Sequence, residues 1–235
     1  MSTHETHGPD HDHDEATPSV REWLRSLEVF TGELARFDPE AAPADPVELF
    51  LDWLREAIAA GAPDPHSMTL STVDEDGNPD ARVLILKNVD AHGWQFGAHL
   101  ASPKGRQLTG RSSAALTFYW PVPGRQVRVR GPVAAESAER GAADLLARSD
   151  SARAEALIGR QSTHLDSLES RDAELKAALS RVEADPALVA PEWTLYTLAP
   201  TEIEFWQAAK DRNHNRLRYE RDAGDGSWRR HMLWP

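Results

Sequence analysis

The sequence predicts an α+β protein in which helices surround an antiparallel β-barrel, and three observations carry that prediction. Five strand-like segments fall between residues 66 and 134, joined by turns rich in Asp, Asn, Gly and Pro (74–79, 90–93, 121–124). Such turns make hairpins, so neighbouring strands run antiparallel. Two helical stretches are inserted late, at about 136–157 and 165–182, before the chain returns to strands at 193. A meander of this kind leaves exposed edges, and closing it into a barrel removes them.

Taken in order, residues 1–20 are polar, acidic and rich in His (His4, His7, His11, His13) and read as a disordered tail. Residues 21–235 are expected to form one domain, with a C-terminal segment from about 193. A helix is expected over 21–37, with Trp23, Leu24, Leu27 and Phe30 on one side. Asp45 and Pro46 provide a cap and a first-turn residue. They open a second helix marked by Leu49, Phe50, Trp53, Leu54 and Ile58.

The stretch Arg82-Val83-Leu84-Ile85-Leu86-Lys87 then reads as a mostly buried strand with a cation at each end. On a period-2 strand the two cations point to opposite faces. They either snorkel to water or hold an anion or a carboxylate. Ser102 and Pro103 begin a short helix whose free N–H groups and Lys104 offer an anion cradle. Gln126, Arg128 and Arg130 alternate with Val127 and Val129 along the fifth strand. The polar segment Gly159-Arg160-Gln161-Ser162-Thr163 separates two helical stretches, 136–157 and 165–182.

Composition narrows the function classes. A net charge of −12 argues against nucleic acid as a partner. Cysteine is absent, which excludes disulfides, thiolate metal sites and cysteine nucleophiles. No apolar run approaches the roughly 20 residues of a membrane span, so a soluble cytoplasmic protein is expected. The His-rich tail lacks fixed metal-ligand geometry, and no metal site is expected. Signatures of serine hydrolases, Walker-type phosphate loops, dinucleotide folds and zinc proteases are all missing. What remains is a roster of cations and amides that bind anions and heterocycles but make poor acids or nucleophiles. Such a roster suits a phosphorylated cofactor that carries the chemistry itself.

The segments Arg82-Val83-Leu84-Ile85-Leu86-Lys87, Ser102-Pro103-Lys104-Gly105-Arg106, Phe118-Tyr119-Trp120, Arg125-Gln126-Val127 and Gln161-Ser162 occur in order before the C-terminal set. That set is Glu204-Phe205-Trp206-Gln207 followed by Arg212-Asn213-His214-Asn215-Arg216. Together, over about residues 46–235, they resemble the pyridoxamine 5′-phosphate oxidase family. The resemblance implies a six-stranded antiparallel split β-barrel, a homodimer, and FMN held in clefts between the subunits. It places Arg82, Val83, Leu84, Ile85, Leu86, Lys87, Lys104, Gln126, Gln161, Ser162, Trp206 and Arg216 at the FMN. Lys87, Arg148, Arg212 and His214 are implied substrate-binding positions, with Arg212 and His214 nearest the chemistry. The implied reaction is hydride transfer from substrate to the flavin N5, with oxygen as the electron acceptor.

The chain departs from the family pattern at instructive places. Pro103 stands where an Arg is usual, and Gly97-Ala98 where Tyr-Thr is usual. At the substrate-phosphate positions, Asp144 and Ala152 replace Tyr and Ser, leaving Arg148. An Asp there would repel a phosphate. The final motif is Arg-Asn-His-Asn-Arg where Arg-Leu-His-Asp-Arg is expected. The leading expectation is therefore an FMN-dependent oxidase of a divergent ring substrate, in the manner of phenazine-biosynthesis oxidases. Oxidation of pyridoxamine or pyridoxine 5′-phosphate and a non-enzymatic flavin-binding module are the alternatives.

Overall fold

The computed structural model describes residues 18–235. The expected tail therefore lies almost wholly outside the described residues, and Val20 begins helix α1 (Val20–Ser26) instead of ending the tail. Helix α1 is capped by Ser19, paired reciprocally with Glu22, but buries no residue and stops at Leu27. The longer helix expected over 21–37 is not formed. Trp23, Leu24 and Leu27 stay more than half exposed, and an apolar stripe with no surface to pack on cannot sustain a helix. The chain runs on irregularly to Asp45, where Phe37 packs edge-on against Trp53 at 4.9 Å.

Helix α2 (Pro46–Ala59) forms as its sequence predicts, with the Asp45 carboxylate accepting from the Val47 N–H at 2.9 Å. Its buried stripe of Leu49, Phe50, Trp53 and Ala57 joins the main core, where Phe50 meets Trp94 and Phe118 at 5.4 and 4.9 Å. The strands are β1 (Ser67–Val73), β2 (Pro79–Asp90), β3 (Gly93–His99), β4 (Ser113–Trp120) and β5 (Arg125–Ala135). After the helical insertion come β6 (Trp193–Leu198), β7 (Glu202–Gln207), β8 (Asn215–Arg221) and β9 (Trp228–Met232).

Pairing runs β4–β1–β2–β3–β6–β5 and returns to β4, all antiparallel, which closes a six-stranded barrel. Strands β7, β8 and β9 extend the sheet outward from β5. Inside, Met68, Leu70, Leu116, Phe118, Val127 and Val129 fill the barrel. β5 serves both parts of the sheet. Arg125 to Arg130 pair with β7, whereas Val133 to Ala135 pair with β6. At the crossover a Cβ on Gly131 would sit 2.0 Å from the Ala199 carbonyl oxygen, so only glycine fits.

Two further expectations change. The single helix expected over 136–157 is two, α4 (Ala138–Leu146) and α5 (Asp150–Ile158), with Ser149 capping the second. The other helices are α3 (Pro103–Gly110) and α6 (Leu168–Ala184). Strand β2 is not mostly buried: Val83 and Ile85 are 67% and 41% exposed, while Arg82, Leu84 and Leu86 turn toward the barrel. The four aliphatic residues thus serve two faces. No helix among the described residues is long and apolar enough to cross a membrane.

Replacing Gly131 by Ala is expected to lower stability by about 1–3 kcal/mol through overpacking at the β5 crossover. Urea denaturation followed by tryptophan fluorescence measures it.

Candidate functional site

Two cavities meet beside β2. The smaller, about 330 Å³, is bounded by Asp80, Arg82, Pro103, Lys104, Gln161 and Ser162. The larger, about 630 Å³, shares Val83, Leu84, Lys104 and Gln161 with it and continues past Ile85 and Lys87 to Arg148 and Trp193. That size suits a cofactor or substrate.

The small cavity is built for an anion. Helix α3 starts there with Ser102 as cap, its Oγ accepting from the Gly105 N–H at 3.3 Å; with Pro103 lacking an N–H, the Lys104 amide is the one first-turn donor that the cap leaves free. Lys104, in that first turn, is only 6% exposed. Its Nζ donates to Gln161 Oε1 at 2.5 Å, and no carboxylate lies within salt-bridge distance among the described residues. Burial, then the neighbouring Arg82 charge, pushes its pKa down. Arg82 is held by Thr72 Oγ1 at 2.5 Å, by Gln107 Oε1 at 3.2 Å, and by the Asp80 carboxylate. Asp80 is itself kept below its ordinary pKa, first by a hydrogen bond from Gln107. Ser162 sits in the left-handed region at φ 66°, a conformation that costs a non-glycine residue free energy and clusters at functional sites.

Lys87 reaches the large cavity through a bulge. The β2–β3 register shifts between Leu86 and Asn88, leaving Lys87 as the extra residue. Its Nζ lies 3.8 Å from Asp144 Oδ1. Asp144 Oδ2 accepts from Trp193 Nε1 at 2.9 Å, and the Arg148 guanidinium lies over the Trp193 ring, 4.2 Å from its centroid.

The predicted residues thus fall into two groups. Arg82, Val83, Leu84, Ile85, Lys87, Lys104, Arg148, Gln161 and Ser162 line the cavities, whereas Leu86 packs against the main core. Gln126, Trp206, Arg212, His214 and Arg216 line neither. Gln126 on β5, Trp206 on β7 and Arg216 on β8 stand in one cross-strand row, and Arg212 and His214 lie in the loop between β7 and β8. Arg216 forks onto Glu204 Oε1 with contacts of 2.9 and 2.8 Å. His214 Nδ1 accepts from the Ala209 N–H at 3.0 Å, which places the proton of a neutral ring on Nε2. Its ring lies 4.8 Å from that of Trp206, and Phe30 approaches both at 6.0 Å. Arg212 has φ 66°, in a turn set by Asp211.

Residue-by-residue reading missed Trp193 in the cavity wall. Its only sequence signal was a pair of departures, Gly97 and Asp144, that the fold brings against it.

The geometry agrees with the comparisons. Residues 54–206 match the family described as pyridoxamine 5′-phosphate oxidase, and residues 193–235 match the pyridoxine 5′-phosphate oxidase C-terminal dimerisation region. Among curated relatives, the pyridoxine/pyridoxamine 5′-phosphate oxidase of Hyphomonas neptunium is 42% identical over 81% of this chain and 87% of its own. That of Burkholderia multivorans is 41% identical over 85% and 92%. Among solved structures, PhzG from Burkholderia lata, in complex with tetrahydrophenazine-1-carboxylic acid, superposes with a TM-score of 0.81 at 32% identity, covering 87% of this chain and all of that one. By sequence and by fold, the chain belongs to the pyridoxamine 5′-phosphate oxidase family.

Proposed function

We propose that this protein is an FMN-dependent oxidase acting on a non-phosphorylated ring substrate. One observation carries the cofactor assignment: a buried Lys104 ammonium with no carboxylate in salt-bridge distance among the described residues, beside Arg82 and the first turn of α3. Two cations and a helix N-terminus converging on one small cavity fit a phosphate group. The neighbouring strand Val83 to Leu86 and the Gln161 amide fit the ring system beyond it.

The second group of residues calls for a second copy of the chain. Gln126, Trp206 and Arg216 stand in one cross-strand row away from the cavities, with Arg212 and His214 in the loop between β7 and β8, while Val83 and Ile85 stand exposed at the cavity wall. In a homodimer, each copy would supply its sheet extension to the other's cavity. The match of residues 193–235 to a dimerisation region supports this.

FMN, when bound, supplies a hydride acceptor that oxygen regenerates. The chain's own residues bind and orient. Arg82 and Lys104 neutralise the phosphate, Gln126 and Gln161 offer amides to polar ring edges, and Trp206 offers an aromatic surface. Arg212 and His214 hold the substrate in a reactive pose, with His214 presenting an N–H at Nε2. At the substrate end, Asp144 and Ala152 favour a substrate without phosphate. Its likeness to PhzG, solved with a tricyclic carboxylic acid, points the same way. The second reading, oxidation of pyridoxamine 5′-phosphate, is favoured by the names of relatives at 39–42% identity.

Purified protein is expected to be yellow or to become so on adding FMN, and a colourless protein after FMN addition would sink the cofactor assignment. Under anaerobic conditions, reduced tricyclic carboxylic acids are expected to bleach the flavin at least tenfold faster than pyridoxamine 5′-phosphate. The reverse order would establish the second reading. Lys104→Met is expected to weaken FMN binding about 100-fold, about 2.7 kcal/mol, without lowering the thermal stability of the flavin-free protein. Because burial depresses the Lys104 pKa, the flavin-free wild type gains stability as pH rises through that lowered value toward the ordinary ~10.4, and the Met variant loses this gain. Arg212→Ala is expected to lower kcat/KM at least 100-fold while FMN content is unchanged, measured by oxygen uptake and flavin absorbance.

A further inference from the structure

The far end of the large cavity carries an arrangement that neither the family match nor the relatives' names assign. Gly97 on β3 pairs with Leu195 on β6, so the Trp193 side chain, two residues along the same face, reaches diagonally across it. A Cβ on Gly97 would sit 2.4 Å from Trp193 Cζ2 and 3.2 Å from Asp144 Oδ2. The missing side chain is what lets the indole lie where it does. Once there, its Nε1 donates to Asp144 at 2.9 Å, and Arg148, one turn beyond Asp144, lays its guanidinium over the ring.

Asp144 also faces Lys87 at 3.8 Å. Both cations at this end are therefore already engaged, one by a carboxylate and one by an aromatic face. Burial lowers the Arg148 pKa, and the charges of Asp144 and of Glu155 on the cavity wall counter that effect. Two cations and two carboxylates leave no net positive charge to receive a dianion. A phosphate would need to displace Asp144 or sit beside it, and its repulsion from Asp144 is about twice that of a singly charged carboxylate. A flat ring, by contrast, meets the guanidinium plane stacked on Trp193 and an apolar wall that includes Ile85, Ile158 and Leu175.

We propose that Gly97, Asp144, Arg148 and Trp193 form a selectivity element that admits a planar aromatic monocarboxylate and rejects an aromatic phosphate. This deepens the proposed function and rests on the same cavity being the substrate site. Arg148 lies in the bend between α4 and α5; Ala152, in the first turn of α5, has no hydroxyl, and Ser151 beside it is the residue of that turn that lines the cavity. The element has one negative charge where selection against a dianion requires it, and one aromatic platform held in place by that same charge.

The test uses 1-naphthoate and 1-naphthyl phosphate, which share a ring and differ in the anion, titrated calorimetrically into FMN-loaded protein at pH 8. The wild type is expected to bind the naphthoate at least tenfold more tightly. Asp144→Asn is expected to narrow that ratio about tenfold, chiefly by improving the phosphate ester. Trp193→Phe keeps a ring above Gly97 but frees the Asp144 carboxylate of its N–H donor, so the ratio is expected to widen instead. Opposite movement in the two variants is an outcome that loss of folding cannot mimic. Equal or tighter binding of the phosphate ester by the wild type, or a ratio unmoved by Asp144→Asn, overturns the proposal. A protein that binds FMN but does not discriminate sinks this inference alone. If the protein takes up no FMN, the same titrations on the flavin-free protein decide, and discrimination there sinks the oxidase reading alone.

Discussion

The double pairing of β5 is the constraint from which the rest of the structure follows. One strand closes the barrel through β4 and β6 and also carries the β7–β9 extension, and it can do so only because Gly131 lets the backbone of Ala199 approach. Closure of the barrel fixes β2 beside α3, which is how Arg82 and Lys104 come to share a cavity. The extension aligns Gln126, Trp206 and Arg216 across three strands on the outer face. Both halves of the candidate site are therefore set by where a single strand changes partners.

Electrostatics divides these halves by purpose. On the extension, Glu204 is 2% exposed yet meets Arg128, Arg216 and Arg218 at 3.2, 2.8 and 3.8 Å, so the buried carboxylate there is paired within the sheet. At the small cavity, the Lys104 ammonium donates to an amide oxygen, that of Gln161. A buried ammonium so placed costs the fold stability and keeps the site ready for an anion. At the far end of the large cavity balance is restored, since Asp144 offsets Lys87. Positive potential is thus concentrated at one end of a continuous groove.

Much of this was legible in the residues. Asp45-Pro46 with its apolar stripe marked α2, and the turn residues at 74–79, 90–93 and 121–124 marked the hairpins, because capping and turn chemistry are local. The segments Trp193–Leu198 and Glu202–Gln207 form strands over the residues expected. What failed was non-local. Trp23, Leu24, Leu27 and Phe30 repeat at helical spacing, but no core surface receives the first three and Phe30 turns to Trp206 and His214 instead, which periodicity cannot report. Val83 and Ile85 read as core because they are aliphatic, whereas the fold turns them outward. The approach of the Trp193 side chain to Gly97 joins residues 96 positions apart, and only the β3–β6 register reveals it.

Arg125 shows how structure and site are joined at one residue boundary. Its buried guanidinium lies 4.2 Å from the centroid of the Trp53 ring and donates to Gln207 Oε1 at 2.9 Å, to Glu56 at 2.6 Å and to the Arg36 carbonyl at 3.4 Å. It thereby gathers α2, the irregular N-terminal segment and β7 at a single point. The next residue, Gln126, points to the opposite face and heads the row with Trp206 and Arg216. The outer row therefore inherits its alignment from an interior knot. In a survey of natural variants, a loss at Arg125 would disturb that row although the side chain faces away from it, and sequence position alone would assign the cause to the wrong side of the sheet.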